Sequence, residues 1–197
     1  VGKSSFINYF LGENVAAAGS GEPCTQTLDK YIYKGIEDCD IELWDSKGLE
    51  VLAYDQWIND ITNQVKNRNS GNFSDWFHII FYCISAKKKI EEQEFDSIRK
   101  LINVANHGVH IVLTNCDESE EKIAAHEKYI RDVMGENTQI YRVVSVEMEK
   151  LSGKIEKSGI EDVQNNVFKL LWVDIADYIA SKVSDYICTS AIQCLDR

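Results

Sequence analysis

Val1-Gly2-Lys3-Ser4-Ser5-Phe6-Ile7-Asn8-Tyr9-Phe10-Leu11 is the stretch on which the reading of the whole chain turns. Its first half matches the end of the phosphate-binding pattern G-x-x-x-x-G-K-[ST], which lies between a strand and a helix. The strand and the leading glycine would stand upstream of residue 1. Gly2 lets the backbone approach phosphate oxygens, Lys3 has the reach for β- and γ-phosphates, and Ser4, with Ser5 beside it, offers a hydroxyl to Mg²⁺. Phe6 to Leu11 predicts a helix whose N-terminal amides and dipole hold the anion. Gly-Lys-Ser alone occurs by chance, so its weight depends on the later strand ends.

Working outward, strand and helix signals alternate. Leu28 to Tyr33 and Cys39 to Trp44 alternate polar with apolar residues around a turn at Gly35, predicting an antiparallel hairpin on one edge of a sheet. Tyr54 to Lys66 has helical spacing. Phe77 to Ile84 is almost wholly apolar, as a central parallel strand covered on both faces would be. Ile90 to Val104 predicts an amphipathic helix, His110 to Leu113 a buried strand, Glu118 to Met134 a charged surface helix and Ile140 to Val144 the last strand. From Ile160 a helical pattern runs almost to the terminus without glycine or proline, as two helices or as one that extends beyond the core. This order predicts an α/β three-layer sandwich, a mostly parallel sheet flanked by helices. Ligands in such sheets sit at the carboxyl ends of the strands.

The chain has 197 residues, 44% hydrophobic and 27% charged, which is ample for one large domain with its own core. A net charge of −11 argues against a general nucleic-acid-binding surface. No apolar run is long enough to span a bilayer as a helix, and no secretory signal is visible. The six cysteines form no C-x-x-C pair and no zinc-like spacing with histidine, so free thiols in a reducing cytoplasm are expected. Lys87-Lys88-Lys89 reads as a solvated turn rather than a lipid or phosphate site.

Three further motifs fall at strand ends. Asp45-Ser46-Lys47-Gly48 places a carboxylate for the Mg²⁺ water shell, and Gly48 offers a backbone N–H to a γ-phosphate. Thr114-Asn115-Cys116-Asp117 has the form of the guanine motif [NT]-K-x-D, in which the final carboxylate accepts from the N1–H and the exocyclic amine of guanine. It departs from that motif at Asn115, where a lysine stem normally lies over the base. Ser145-Val146-Glu147 ends the last strand, with the Val146 amide placed to face the guanine O6. Between the phosphate loop and Asp45, Gly21-Glu22-Pro23-Cys24-Thr25-Gln26-Thr27 fits a first switch region; Thr25, with Thr27 in reserve, closes onto Mg²⁺ and the γ-phosphate.

Together these elements resemble the P-loop GTPases of the Ras-like and Era-like kind over residues 1 to about 173. Glu22-Pro23-Cys24-Thr25-Gln26-Thr27, the strand end Tyr82 to Ala86 and Glu91 to Phe95 look like bacterial Era-like, or 50S ribosome-binding type, GTPases. The resemblance implies a G domain over 1–173, a helical extension over 174–197, GTP or GDP with Mg²⁺, and a cytoplasmic protein whose only route to a membrane lies in regions outside this chain. It implies a switch in which Lys3, Thr25 and Gly48 serve hydrolysis, and Ser4, Thr25 and Asp45 serve the metal. Gly2, Lys3, Ser4, Ser5, Thr114, Asn115, Asp117, Ser145 and Val146 would hold the nucleotide. A glutamine that orients water in the Ras-like pattern is replaced by Leu49, which implies slow hydrolysis, or hydrolysis raised by a regulatory protein, a homodimer or K⁺. Ribosome association follows from the resemblance alone, and no direct DNA binding is expected. The alternatives are a nucleotide-binding interaction module with negligible turnover, and a P-loop protein for ATP or another phosphate ligand.

Overall fold

The structure is a computed structural model and describes residues 2–16, 28–36, 39–46, 54–150 and 153–195. Helix α1 (Lys3–Leu11) begins at Gly2 and ends at Gly12, whose N–H caps the Tyr9 carbonyl. Strands β1 (Asp29–Ile36) and β2 (Cys39–Asp45) pair antiparallel, with Tyr31 opposite Leu43. Helix α2 (Tyr54–Asn69) and a 3₁₀ turn at Phe73–Asp75 lead to β3 (Ile80–Ser85). There follow α3 (Glu92–Ile102), β4 (Val109–Thr114), α4 (Glu120–Met134) and β5 (Ile140–Val143). A short hairpin of β6 (Met148–Lys150) and β7 (Gly153–Ile155) precedes α5 (Ile160–Leu195), one continuous helix.

Strands β3, β4 and β5 form a parallel sheet in that order, with helices on both faces, as the alternating pattern predicts. All six residues of β4 are buried. Its side chains alternate between faces with the period of two that a strand imposes. Ile111 and Leu113 enter a core with Ile58 of α2, Phe95, Ile98 and Leu101 of α3, and Ile130 of α4. Val112 enters the other core, with Phe6 and Phe10 of α1 and Val163 and Val167 of α5. Truncating a fully buried phenylalanine such as Phe95 or Phe10 to alanine removes about 3–5 kcal/mol of stability. In α3 that burial is supported by reciprocal capping between Glu91 and Glu94, which satisfies the first turn's free amides.

Four expectations are corrected or extended. The central strand is β4 rather than Phe77 to Ile84; among the described residues β3 pairs only with β4. Residues 77 to 79 are not strand. The Phe77 N–H is taken by Asn69 Oδ1 at 2.9 Å, and the His78 side chain is taken by Asp174 of α5. The hairpin β1–β2 is a separate ladder among the described residues, not an edge hydrogen-bonded into the parallel sheet. Side chains hold it instead: Tyr33 packs on Phe10 (ring centroids 5.4 Å apart) and stacks on Phe168 (5.9 Å). The β6–β7 hairpin was not anticipated; its strands are too short to show a period.

Helix α5 buries Ile160, Val163 and Val167, then touches the body through Asp174 and through Tyr178, which stacks on Phe73 at 4.4 Å. From Ile179 to Ile187 its large apolar residues face outward, with Ile179 55% and Ile187 60% exposed. Among the described residues no helix is long and apolar enough to cross a membrane.

Candidate functional site

Parallel register brings the strand ends to one edge of the molecule: Ser85 lies opposite Thr114, and Thr114 opposite Val143. The segments that leave those ends are hydrogen-bonded to one another. The Ala86 N–H donates to the Thr114 carbonyl at 2.9 Å, and the Cys116 N–H to the Val143 carbonyl at 3.5 Å. The residues that follow each strand therefore start from a fixed platform.

The phosphate end of the site sits on that platform. Gly2 has a left-handed backbone (φ 90°), and a β-carbon there would lie 3.1 Å from Thr114 Oγ1. Only glycine allows both the conformation and the approach. Ser4 and Ser5 lie in the first turn of α1, and Lys3 opens it. Burial pushes the Asp45 carboxyl above its usual range, while the Lys3 ammonium pulls it down and Asp29 pushes it further up. The Cys83 thiol, on β3, is pushed up to about 12 by burial and feels the same two charges, lowered by Lys3 and raised by Asp45. Lys3, Asp45 and Cys83 thus share one electrostatic neighbourhood. A thiol held that high is protonated and inert.

The base end lies beyond β4. Asn115 has φ 56°, and among the described residues no other non-glycine residue has positive φ. Its Nδ2 donates to Ser85 Oγ at 3.0 Å, so its side chain is tied back to β3. The Asp117 side chain is completely buried, and Lys87 Nζ lies 2.7 Å from its Oδ2. Ser145 Oγ is buried with no hydrogen-bond partner among the described residues. An orphaned hydroxyl of that kind carries a desolvation cost that a polar ligand would relieve. Val146 is exposed. Cys116 donates its thiol to the Leu113 carbonyl at 3.1 Å and is half-buried, as expected of a filler.

Gly2, Lys3, Asp45, Thr114, Asn115, Asp117 and Ser145 are therefore brought to one edge. Thr25, Thr27, Gly48 and Leu49 lie outside the described residues. Lys87 was missed, because a lysine triplet reads as solvent-facing. The available signal was its position, two residues past the end of β3, which lies opposite the end of β4.

The residues fit a guanine nucleotide with Mg²⁺. A buried carboxylate and an orphaned hydroxyl offer complements to a base edge, and a glycine at φ 90° leaves backbone free for phosphate. Ser4 and Asp45 would offer oxygen donors of the kind Mg²⁺ takes in ones and twos beside substrate phosphates. Among the described residues there is no group of three or more His, Cys, Asp or Glu side chains suited to a metal held by protein alone.

A family model described as 50S ribosome-binding GTPase matches residues 1–146. Comparison with curated proteins finds no match. Among solved structures, Era from Aquifex aeolicus, bound to GDP and AlF4⁻, is similar at 14% identity and TM-score 0.60 over 86% of this chain and 52% of that one. A structure of Era with MgGDPNP and a segment of 16S ribosomal RNA gives 18% identity and TM-score 0.61, covering 86% and 53%. The bacterial selenocysteine-specific elongation factor gives 19% identity and TM-score 0.53, covering 87% and 27%. The chain thus spans about half the length of the Era structures it resembles. At these identities the likeness is one of fold.

Proposed function

The chain belongs to the 50S ribosome-binding GTPase family, and from that premise we propose that it is a guanine-nucleotide switch that binds and slowly hydrolyses GTP with Mg²⁺. The observation that carries this reading is the contact of Gly2 with Thr114, which joins a phosphate-binding loop to a base-recognition motif at one sheet edge. Either motif alone is weak. Their contact makes one site of two.

In this reading Gly2, Lys3, Ser4 and Ser5 cradle the phosphates, and the Lys3 ammonium neutralises charge that builds on the β- and γ-oxygens. Ser4 and Asp45 would hold Mg²⁺, which when bound would supply positive charge against the terminal phosphates. Burial disfavours the ionised form of Asp45, and the Lys3 ammonium offsets that only in part. Asp117 accepts the two adjacent N–H groups of guanine, an edge that adenine lacks, while Thr114, Asn115, Ser145 and Val146 line the base. Thr25 and Gly48 close on the γ-phosphate. Leu49 has no group to orient water, so turnover is slow or is raised by a partner, by self-association or by K⁺. We take 1–173 as the G domain and 174–197 as an extension, although contacts with the body reach Tyr178. The family description supports ribosome association as the cellular role.

Trp44 directly precedes Asp45, so its fluorescence reports nucleotide binding. Titration is expected to show GTP and GDP binding with ATP much weaker; equal ATP binding would refute the guanine assignment. Turnover is expected to rise with K⁺ or with protein concentration. Fast hydrolysis indifferent to both would refute the slow-switch assignment.

A further inference from the structure

We propose that Lys87, on the turn after β3, orients the base-recognition carboxylate Asp117. The inference rests on the reading of Asp117 as the guanine acceptor. Its footing is the geometry of three residues around Ser85. Asn115, where the guanine motif has lysine, turns back in a left-handed conformation and donates to Ser85 Oγ at 3.0 Å. The same Oγ accepts from the Lys87 N–H at 3.4 Å, and the Lys88 N–H donates to the Ser85 carbonyl at 3.2 Å. On the far side the Lys88 carbonyl meets His126 Nε2 of α4 at 3.0 Å. The turn that carries Lys87 is therefore fixed by β3 and by α4 independently of any ligand.

From that turn the Lys87 ammonium reaches Asp117 Oδ2 at 2.7 Å; the lysine side chain is 40% exposed and the carboxylate 0%. A carboxylate has about four acceptor positions on its two oxygens. The ammonium contact engages Oδ2 and so fixes which way the carboxylate faces. Lys87 is a positioning residue: it acts on the base through Asp117.

The test compares GDP and ADP affinity by calorimetry in the intact protein and in Lys87→Met, Lys87→Arg, Asp117→Asn and the double variant Lys87→Met/Asp117→Asn. Lys87→Met keeps the aliphatic stem and is expected to weaken GDP roughly tenfold, a modest figure because the lysine is part-exposed, with ADP affinity unchanged. Lys87→Arg is expected to recover most of the loss. In the Asp117→Asn background, measured with XDP, Lys87→Met is expected to change affinity less than about twofold, since no charge remains to be paired. A Lys87→Met variant that binds GDP as the parent does overturns the inference. So does one that binds it more tightly, because Lys87 would then be a plug the base displaces. An equal loss for XDP in the Asp117→Asn background would also overturn it, showing a merely structural role. Equal GDP and ADP affinity in the parent would instead refute the guanine reading of the site, and this inference with it.

Discussion

The carbonyl oxygen of Arg142 stands 1.9 Å from where a β-carbon on Gly159 would be. Gly159 has φ 86° and lies between the paired backbones of Ser158 and Val144 and the first residue of α5. Any side chain must push β5 and the start of α5 apart, in a backbone conformation that already disfavours L-residues. Gly159→Ala is expected to lower unfolding free energy by about 3 kcal/mol or more in urea titration. A loss under about 1 kcal/mol would show that the two segments separate freely.

Gly2 and Gly12 flank α1 with similar left-handed backbones, φ 90° and 74°, but only Gly2 has a neighbour within 4 Å of its missing β-carbon. Alanine at Gly12 should cost only the conformational strain, about 1 kcal/mol, and leave nucleotide affinity alone. Alanine at Gly2 adds displacement of Thr114, and GDP affinity should fall at least about tenfold, the equivalent of roughly 1.4 kcal/mol. Equal effects of the two substitutions on affinity would dissociate the Gly2 contact from binding.

Arg142 on β5 clamps α4: Nε and Nη2 meet the two oxygens of Glu127 at 2.7 Å each, and Nη1 meets Glu120 at 2.6 Å. The hydrogen bonds from Arg142 hold the Glu127 carboxyl below its ordinary value of 4.5, against the opposing effect of burial. A carboxylate whose pKa is depressed on folding adds stability that is complete above its unfolded value and is lost as pH falls through the folded one. Arg142→Met should therefore destabilise the protein by about 1 kcal/mol at pH 7, a figure kept small by partial exposure. The gap between the two proteins should close as pH drops below 4.5, followed by thermal melts. A gap constant down to strong acid would remove the ion pair from the explanation.

Asp174 accepts from two imidazoles at once, His78 before β3 and His107 before β4, and so ties α5 to the edge of the sheet remote from the site. Asp174→Ala leaves both rings unpartnered in a half-buried place. A loss of about 1–3 kcal/mol is expected in chemical denaturation, while nucleotide affinity stays that of the parent. A change in affinity without a change in stability would contradict this purely structural assignment.

Much of the fold could be read from local pattern. Phe6, Ile7 and Phe10 declare one face of α1, and the unbroken run at Val109 to Thr114 declares a strand covered on both sides. Pattern could not say that the Phe77 N–H goes to the Asn69 side chain instead of a ladder, or that the His78 ring meets Asp174 of α5, since neither pairing follows a strand's period. Among the described residues β4 is the middle strand of three, which pattern does not decide, because β3 and β4 are equally apolar and only pairing distinguishes them. In the candidate site, Gly2, Asp45, Asp117 and Ser145 could be named from the sequence because phosphate and guanine chemistry would ask for those types at strand ends and at a helix start. Lys87 could not. Its role depends on distance to Asp117, thirty residues on, and a lysine's sequence neighbours carry no trace of that.

The double-sided burial of β4 also sets an order of events. A strand whose side chains enter both cores can release its backbone amides only when both open together, so its hydrogen exchange should track global unfolding. Thr114 ends that slowest segment, and Asn115 and Asp117 follow directly on it. Lys3 rides on α1, which contributes to one core only. Sub-global opening should therefore loosen the phosphate grip while the base remains held. A nucleotide would then depart tail first, which leaves the grip on the base as the last barrier to exchange.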